Sequence, residues 1–130
     1  MHRGSCLCRT VTYQVKELGD IVYCHCSQCR KAGGSAFAAV SPIDSADFHL
    51  LSGQDALAEF ETGPGIARVF CRHCGSPLYS KRAFQPELLR LRIGSLDTPV
   101  EKRVSAHIFV GSKADWDEIC DLAPQYAERP

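Results

Sequence analysis

The sequence lacks any hydrophobic run long enough to cross a lipid bilayer, which takes about 20 consecutive apolar residues. Residues 1–6 also lack the apolar stretch of a secretory signal peptide. We therefore expect a cytoplasmic protein with no membrane partner. Thiols stay reduced in that compartment, so clustered cysteines are expected to bind metal rather than to form disulfides.

An excess of charge of one sign is missing too, because 15 Lys and Arg residues balance 15 Asp and Glu residues. Proteins that hold a polyanion usually present a strong positive charge to it. The balance therefore argues against nucleic acid as a partner. Internal repeats and low-complexity tracts are absent as well, and 130 residues suit a single domain over residues 1–130.

Helical patterns are sparse, and short β-like runs closed by turn residues dominate the chain. In the clearest run, Leu89, Leu91 and Ile93 fall on one face because side chains alternate along a strand. The predicted strands are 10–15, 21–24, 36–40, 48–51, 57–62, 67–70, 78–80, 88–93 and 106–110. Helix is expected only as a turn after Cys26 and over residues 113–120. The pattern predicts a mainly β domain of antiparallel sheets.

Cysteine is unusually abundant, and seven of the eight cysteines fall into three tight clusters. The clusters are Cys6-Leu-Cys8, Cys24-His-Cys-Ser-Gln-Cys29, and Cys71-Arg-His-Cys74 followed by Gly75. Spacings of one or two residues let neighbouring thiolates chelate one ion, and the third cluster is typical of a zinc knuckle. A structural zinc takes four protein ligands and a catalytic zinc typically takes three. Seven thiols therefore indicate one closed zinc and one open zinc.

The spacing leaves two divisions of these seven thiols open. In the first, Cys26, Cys29, Cys71 and Cys74 form a ribbon-like site, which leaves Cys6, Cys8 and Cys24. In the second, Cys6, Cys8, Cys71 and Cys74 close one site, which leaves Cys24, Cys26 and Cys29. We favour the second division, because three ligands from one short segment leave the far side of the ion open.

These cysteine motifs resemble those of the glutathione-dependent formaldehyde-activating enzyme family. Three further segments share the resemblance: the run from Arg30 to Phe37, Ala106-His-Ile-Phe109 and Leu122-Ala-Pro-Gln-Tyr126. The resemblance covers nearly the whole chain and implies a tent of antiparallel sheets similar to the Mss4 fold. It implies that Cys6, Cys8, Cys71 and Cys74 hold a structural zinc. It also implies that Cys24, Cys26 and Cys29 hold a catalytic zinc.

The reaction implied by this resemblance joins glutathione to formaldehyde, so the expected activity is that of a carbon–sulfur lyase with a small thiol and a small aldehyde as partners. An open zinc suits this chemistry, because a thiol with a pKa of about 8.5 ionises when it coordinates a metal. Arg30 and Lys31 follow Cys29 directly. Their charges are placed to meet a glutathione carboxylate or to offset the thiolates, and a solvated turn is the alternative interpretation.

A binding module is the competing hypothesis, with both zincs structural or with the second zinc only holding a thiol or a protein partner. A fourth protein ligand at the Cys24 cluster would favour it, and Cys120 would matter if it supplied that ligand. Otherwise Cys120 is expected to be a buried thiol. His25 is expected to point away from the metal, and His107 to be a core histidine with a partner. A redox sensor, the third hypothesis, would carry no zinc.

Overall fold

The computed structural model describes residues 1–130, which fall into two compact units. The first unit consists of Met1–Gly19 and Ser41–Val100, and the second consists of Asp20–Val40 and Glu101–Pro130. The strands are β1 (His2–Ser5), β2 (Thr12–Val15), β3 (Ile21–Cys24), β4 (Ala38–Asp44), β5 (Phe48–Ser52), β6 (Leu57–Gly63), β7 (Ile66–Cys71), β8 (Pro77–Arg82), β9 (Gln85–Arg92) and β10 (Val104–Ile108), and the one α-helix is α1 (Ser27–Gly33). The expectation of a mainly β fold with antiparallel sheets is confirmed. None of the helices combines the length and the apolar character that a membrane crossing requires.

In the first unit, β1, β2 and β5 form an antiparallel sheet in the order β1-β2-β5. Gly4 of β1 lies opposite Tyr13 of β2. The Tyr13 side chain is buried, and its hydroxyl shares a 2.6 Å hydrogen bond with the Ser95 hydroxyl. Burial raises the pKa of Tyr13 to about 12, so the hydroxyl stays protonated at neutral pH. The missing side chain of Gly4 leaves the space that the tyrosine ring fills.

The same unit contains four strands in the order β9-β8-β7-β6, with each neighbouring pair antiparallel. Val69, Tyr79 and Leu91 lie side by side across β7, β8 and β9. The most deeply buried apolar side chains of this unit are Val11, Tyr13, Val15, Leu78 and Leu91. Strand β7 ends at Cys71, so the sheet carries this cysteine to a fully buried position.

The second unit contains β10, β3 and the start of β4, in the order β10-β3-β4. Strand β10 runs parallel to β3, whereas β3 and β4 are antiparallel. The C-terminal segment lies beside β10, because the His107 N–H donates to the Pro124 carbonyl (2.8 Å) and the Tyr126 N–H donates to the His107 carbonyl (2.9 Å). Strand β3 ends at Cys24, and α1 begins three residues later at Ser27.

Several strand bounds differ from the sequence prediction: β9 begins at Gln85 instead of residue 88, β10 is Val104–Ile108 instead of 106–110, and β1 and β4 differ more. Strand β1 was not predicted, because its sequence His-Arg-Gly-Ser has no apolar alternation; pairing with β2 makes it a strand. Strand β4 was expected to stop before Ser41-Pro42 but continues to Asp44. Pro42 has no N–H, yet its carbonyl accepts a hydrogen bond from the Gly19 N–H (2.9 Å), which ties this part of the strand down.

The helix predicted over residues 113–120 is wrong: these residues contain only a turn, and the 3₁₀ helix Val110–Ser112 ends before them. The Lys113 ammonium group donates to the carbonyls of Ala114 (3.1 Å) and Asp117 (2.6 Å). The Ala114 carbonyl also accepts from the Asp117 N–H (3.2 Å), which makes a single turn, and no helix continues beyond it. A helix of so few residues is also marginal without tertiary support.

We predict that Gly4→Ala destabilises the protein by roughly 1–3 kcal/mol, the usual range for overpacking a core. The added Cβ would overlap the Tyr13 ring and lie 2.7 Å from the backbone oxygen of Ser95. Gly33→Ala is the matched control, since its Cβ would meet nothing within 4 Å and alanine favours a helix. Chemical denaturation of the metal-loaded proteins measures both changes, and equal stabilities for the two variants would contradict the packing described for Tyr13.

Candidate metal centres

The first candidate centre is a group of four cysteines whose sulfur atoms all lie within 4.8 Å of one another: Cys6, Cys8, Cys71 and Cys74. Cys6 and Cys8 come from the turn after β1, Cys71 is the last residue of β7, and Cys74 lies in the turn that follows. The Cys6 and Cys8 sulfurs are 3.6 Å apart, and the Cys8 and Cys71 sulfurs are 3.8 Å apart. All four are free thiols.

Local backbone geometry brings the two turns together. Arg9 and Gly75 both have a positive φ (65° and 78°), which lets the chain reverse directly after each pair of cysteines. The Gly75 N–H donates to the Cys71 carbonyl (2.7 Å), which closes the second turn. The Ser76 hydroxyl accepts from the Leu7 N–H (2.9 Å), so the two turns are also joined to each other.

Hydrogen bonds and burial shift the pKa values of Cys8, Cys71 and Cys74 in different directions. The hydrogen bond to the Ser76 hydroxyl lowers the pKa of Cys74 to about 5, and the hydrogen bond to the Thr10 hydroxyl lowers the pKa of Cys8. Burial raises the pKa of Cys71 to about 11. A bound cation would supply the positive charge that stabilises the Cys71 thiolate.

The sulfur positions fit a tetrahedral zinc ion. With a zinc–sulfur distance of about 2.3 Å, the edge of a regular tetrahedron of sulfurs is about 3.8 Å. The Cys6–Cys8 and Cys8–Cys71 separations are close to this value. A disulfide would need about 2.05 Å between the sulfurs. The four thiols are thus spaced as ligands of one ion rather than as oxidised pairs.

The second candidate centre is a group of three cysteines, Cys24, Cys26 and Cys29, whose sulfurs also lie within 4.8 Å of one another. Cys24 ends β3, Cys26 is the N-cap residue of α1, and Cys29 lies in the first turn of that helix. The Cys29 N–H donates to the Cys26 sulfur (3.3 Å), as an N-cap side chain normally accepts from the helix. A helix turn of this kind explains why residues three apart in the sequence meet at one point.

The three thiols are not equally accessible. Cys24 and Cys29 are buried, whereas Cys26 is half-buried. The hydrogen bond with Cys29 and then burial raise the pKa of Cys24 well above its ordinary value. Ile108, Phe109 and Tyr126 pack against this group, so one side of it is apolar. Phe109 has a positive φ (57°), an unusual conformation for a bulky residue.

No fourth His, Cys, Asp or Glu atom belongs to this second group. Cys120 was expected to be a buried thiol but is exposed, and its thiol donates a hydrogen bond to the nearby Glu118 carbonyl (3.7 Å). Its burial was predicted from residue type alone, but the segment that carries it has no regular structure. The structure therefore reproduces the second division of the thiols, four and three, while metal binding itself stays a prediction.

Arg30 and Lys31 lie at the end of α1, directly after the second group. Lys31 is exposed. The Arg30 guanidinium donates through Nη2 to the Ser112 carbonyl (3.3 Å), while its Nε is buried and has no hydrogen-bond partner. A buried N–H donor without a partner is unfavourable, and a ligand oxygen would satisfy it.

Sequence reasoning missed one feature of this unit, a row of three hydrogen-bonded side chains. The His25 Nε2 and His107 Nδ1 atoms are 2.9 Å apart, and His107 Nε2 lies 2.9 Å from Asp121 Oδ1 and 3.0 Å from Oδ2. His25 does point away from the sulfurs, as expected, and His107 is a buried histidine with side-chain partners. Asp121 was not singled out, because it lies in an irregular segment where no sequence periodicity marks a buried face.

A cavity of about 530 Å³ in the first unit lies beside the β6–β7 and β8–β9 turns. No cysteine lines it. Its polar residues include Glu59 and Lys81, which form an ion pair with 2.7 Å between nitrogen and oxygen. The cavity therefore belongs to neither candidate centre.

A family model described as “Glutathione-dependent formaldehyde-activating enzyme” matches residues 1–112. The chain belongs to this family. The match to the family model covers both cysteine groups, so all seven clustered cysteines fall inside the matched region. The resemblance inferred from the cysteine motifs is thus confirmed.

Relatives named “Putative glutathione-dependent formaldehyde-activating enzyme” include proteins of Aspergillus flavus and Podospora anserina. The first is 24% identical over 125 residues, covering 94% of this chain and 56% of the relative; the second is 27% identical over 79 residues, covering 58% and 37%. The chain thus spans about half or less of these relatives. A crystal structure of a Rhodobacter sphaeroides protein has a TM-score of 0.65 with 26% identity, over 76% of this chain and 91% of that one.

We predict that Cys71→Ser weakens metal binding at the four-thiol group and lowers the melting temperature. Cys71 is fully buried, and serine in its place would leave three thiols around the ion. Cys120→Ser is the matched control, because Cys120 is exposed and belongs to neither group. Cobalt titration followed by absorption, together with thermal unfolding, measures both effects. Wild-type behaviour of Cys71→Ser in both measurements would exclude the four-thiol group as a metal site.

Proposed function

We propose that the protein is a zinc-dependent carbon–sulfur lyase that joins glutathione to formaldehyde. The observation that carries this proposal is the group Cys24, Cys26 and Cys29, to which no fourth protein ligand belongs. Membership of the formaldehyde-activating family and the printed names of the relatives support the substrate pair. We assign the reaction to the cytoplasm, where glutathione and protein thiols are reduced.

The two cysteine groups take different roles in this proposal. Cys6, Cys8, Cys71 and Cys74 would hold a structural zinc, since four thiols complete its coordination. The group of three would hold a catalytic zinc, which when bound offers a free coordination position where a thiol is ionised and an aldehyde oxygen polarised. The apolar side formed by Ile108 and Phe109 excludes water from that region and strengthens electrostatic interactions there.

The reaction balances without a further reagent. The glutathione sulfur forms a bond to the formaldehyde carbon while the carbon–oxygen double bond becomes a single bond. The proton lost by the thiol is returned to the oxygen, which gives S-hydroxymethylglutathione. No oxidant or reductant is consumed, so the chain has only to bind, orient and ionise the thiol.

Arg30 is the residue that we assign to glutathione binding, with Lys31 as a weaker contributor. Glutathione carries two carboxylates, and the half-buried guanidinium group of Arg30, next to the second cysteine group, is a cation suited to one of them. The charge of Arg30 also offsets the excess negative charge that three thiolates bring to a divalent ion. Lys31 is exposed and screened by water, so its contribution is expected to be small.

We predict that the zinc-loaded protein accelerates exchange between glutathione, formaldehyde and S-hydroxymethylglutathione, measured by NMR exchange spectroscopy with the spontaneous rate subtracted. Cys26→Ser should lose this acceleration, since it removes one of three ligands, while Cys120→Ser should keep it. The zinc content of each sample, taken with and without excess glutathione, checks that the first zinc is retained. If the wild-type protein with two zincs gives only the spontaneous rate, the lyase proposal fails and a binding module takes its place.

We further predict that Arg30→Met raises the KM for glutathione with little change in kcat, the pattern of a lost ground-state contact. Lys31→Met should leave both constants near their wild-type values. Repeating the assay with 2-mercaptoethanol, which has no carboxylate, separates carboxylate binding from damage to the helix. If Arg30→Met raises the KM for 2-mercaptoethanol as much as the KM for glutathione, Arg30 does not bind a glutathione carboxylate.

A further inference from the structure

The row formed by His25, His107 and Asp121 lies wholly within the second unit and adjoins the three-thiol group. Both imidazoles are buried, with 0% of His25 and 2% of His107 exposed. The Asp121 side chain is 41% exposed, so the row leads from the interior to the surface. Two buried imidazoles are unfavourable unless they are hydrogen-bonded, and apolar residues would fill the space more favourably. The row therefore needs an explanation beyond packing.

The hydrogen bonds of the row all donate in one direction, from His25 to His107 and from His107 to Asp121. The Asp121 carboxylate is an acceptor, and its hydrogen bond from His107 is the main cause of its lowered pKa. His107 donates from Nε2, so in the neutral ring its Nδ1 is the acceptor. His25 then donates from Nε2 to that Nδ1, across 2.9 Å. One arrangement of protons thus satisfies both contacts, with the Nε2–H tautomer at both histidines.

The other end of the row is the turn that carries the thiols. His25 stands between Cys24 and Cys26, and its own N–H donates to the Ile108 carbonyl (2.9 Å). The turn is therefore attached to β10 twice, once by the backbone of His25 and once by its ring. Because the two attachments fix the orientation of this residue, they also limit how the Cys24 and Cys26 side chains can rotate.

The row is itself anchored at its far end. The Asp121 carboxylate also accepts from the Ala123 N–H (2.9 Å), and the His107 backbone pairs with Pro124 and Tyr126. The segment after Asp121 is thus tied to β10 on both sides of the carboxylate. Asp121 belongs to neither cysteine group, and its side chain is linked by hydrogen bonds to the thiol turn through His107 and His25.

We propose that Asp121, His107 and His25 form a positioning row that holds the Cys24–Cys29 turn in the geometry needed to bind one metal ion. These are positioning residues, because none of the three belongs to the cysteine group. The proposal extends the proposed function, since it concerns the same cysteines, but it depends only on metal binding and not on turnover.

The experiment measures cobalt binding to the full-length metal-free protein by its thiolate-to-cobalt and visible absorption bands, with the two sites assigned by Cys71→Ser and Cys26→Ser. Asp121→Ala should weaken cobalt binding at the three-thiol group about 10- to 100-fold, the usual effect of removing a residue that orients metal ligands. Asp121→Asn keeps an acceptor oxygen and should fall between Asp121→Ala and wild type. The four-thiol group should bind cobalt with unchanged affinity in both variants.

The matched control is Asp117→Asn, which removes the same charge from the same segment. Asp117 contributes to the electrostatic environment of His25, but its carboxylate makes no hydrogen bond to either histidine. Wild-type affinity in Asp117→Asn would assign the effect to the hydrogen bonds rather than to charge. Nitrogen-15 NMR of the imidazoles adds a second readout, in which His25 should be the Nε2–H tautomer in wild type and should lose this fixed tautomer in Asp121→Ala.

Two results would overturn the proposal: unchanged cobalt affinity and spectrum at the three-thiol group in Asp121→Ala, or equal weakening at both groups, which would indicate general loss of structure. These outcomes are distinct from failure of the proposed function. If the wild-type protein has no lyase activity but cobalt binding at the three-thiol group is weakened by Asp121→Ala, the positioning role stands and the proposed function is rejected. If the protein is active but cobalt binding at the three-thiol group is unaffected by Asp121→Ala, the proposed function stands and the positioning role is rejected.

Discussion

Two groups of cysteines, one of four and one of three, each with its sulfurs within 4.8 Å of one another, form the constraint on which the rest of this structure depends. A chain of 130 residues buries a limited core, and its strands are short. The four-thiol group compensates for this in the first unit, because it joins the turn after β1 to the end of β7, more than 60 residues further along the chain. A metal ion bound by these four thiols would close this long loop and remove much of the freedom of the unfolded chain.

The second unit uses its thiols differently. Its three cysteines come from one turn, so they close no long loop and contribute little to the overall fold. Their geometry is set instead by what surrounds them: the N-cap contact of Cys26, the apolar contacts of Ile108, and the hydrogen bonds that His25 makes to β10. A site built this way keeps one side free of protein ligands, which is the property that thiol chemistry at a metal requires.

Sequence reasoning found what is local and missed what tertiary structure decides. The three cysteine clusters were predictable from their short spacing, whereas the spacing alone left open which clusters combine; the four-and-three division was favoured because it leaves one side of the second ion open. Strand β1 was not predictable, since His2–Ser5 becomes a strand only by pairing with β2. Asp121 was missed for the same reason: its partner His107 lies 14 residues away, in a different element, and no pattern links the two. The expected helix after Lys113 is absent: the Ala114 carbonyl and the Asp117 N–H form a single turn, and the Asp117 carbonyl accepts from the Lys113 side chain.

The division of the thiols into a closed and an open centre is tested most directly by a crystal structure of the zinc-loaded protein with anomalous data at the zinc edge. We expect two zinc ions per chain. One should have four cysteine sulfurs at about 2.3 Å, and the other should have Cys24, Cys26 and Cys29 at that distance, with a water or a thiol molecule as its fourth ligand. A protein side chain in that fourth position, or a single zinc per chain, would contradict the open centre.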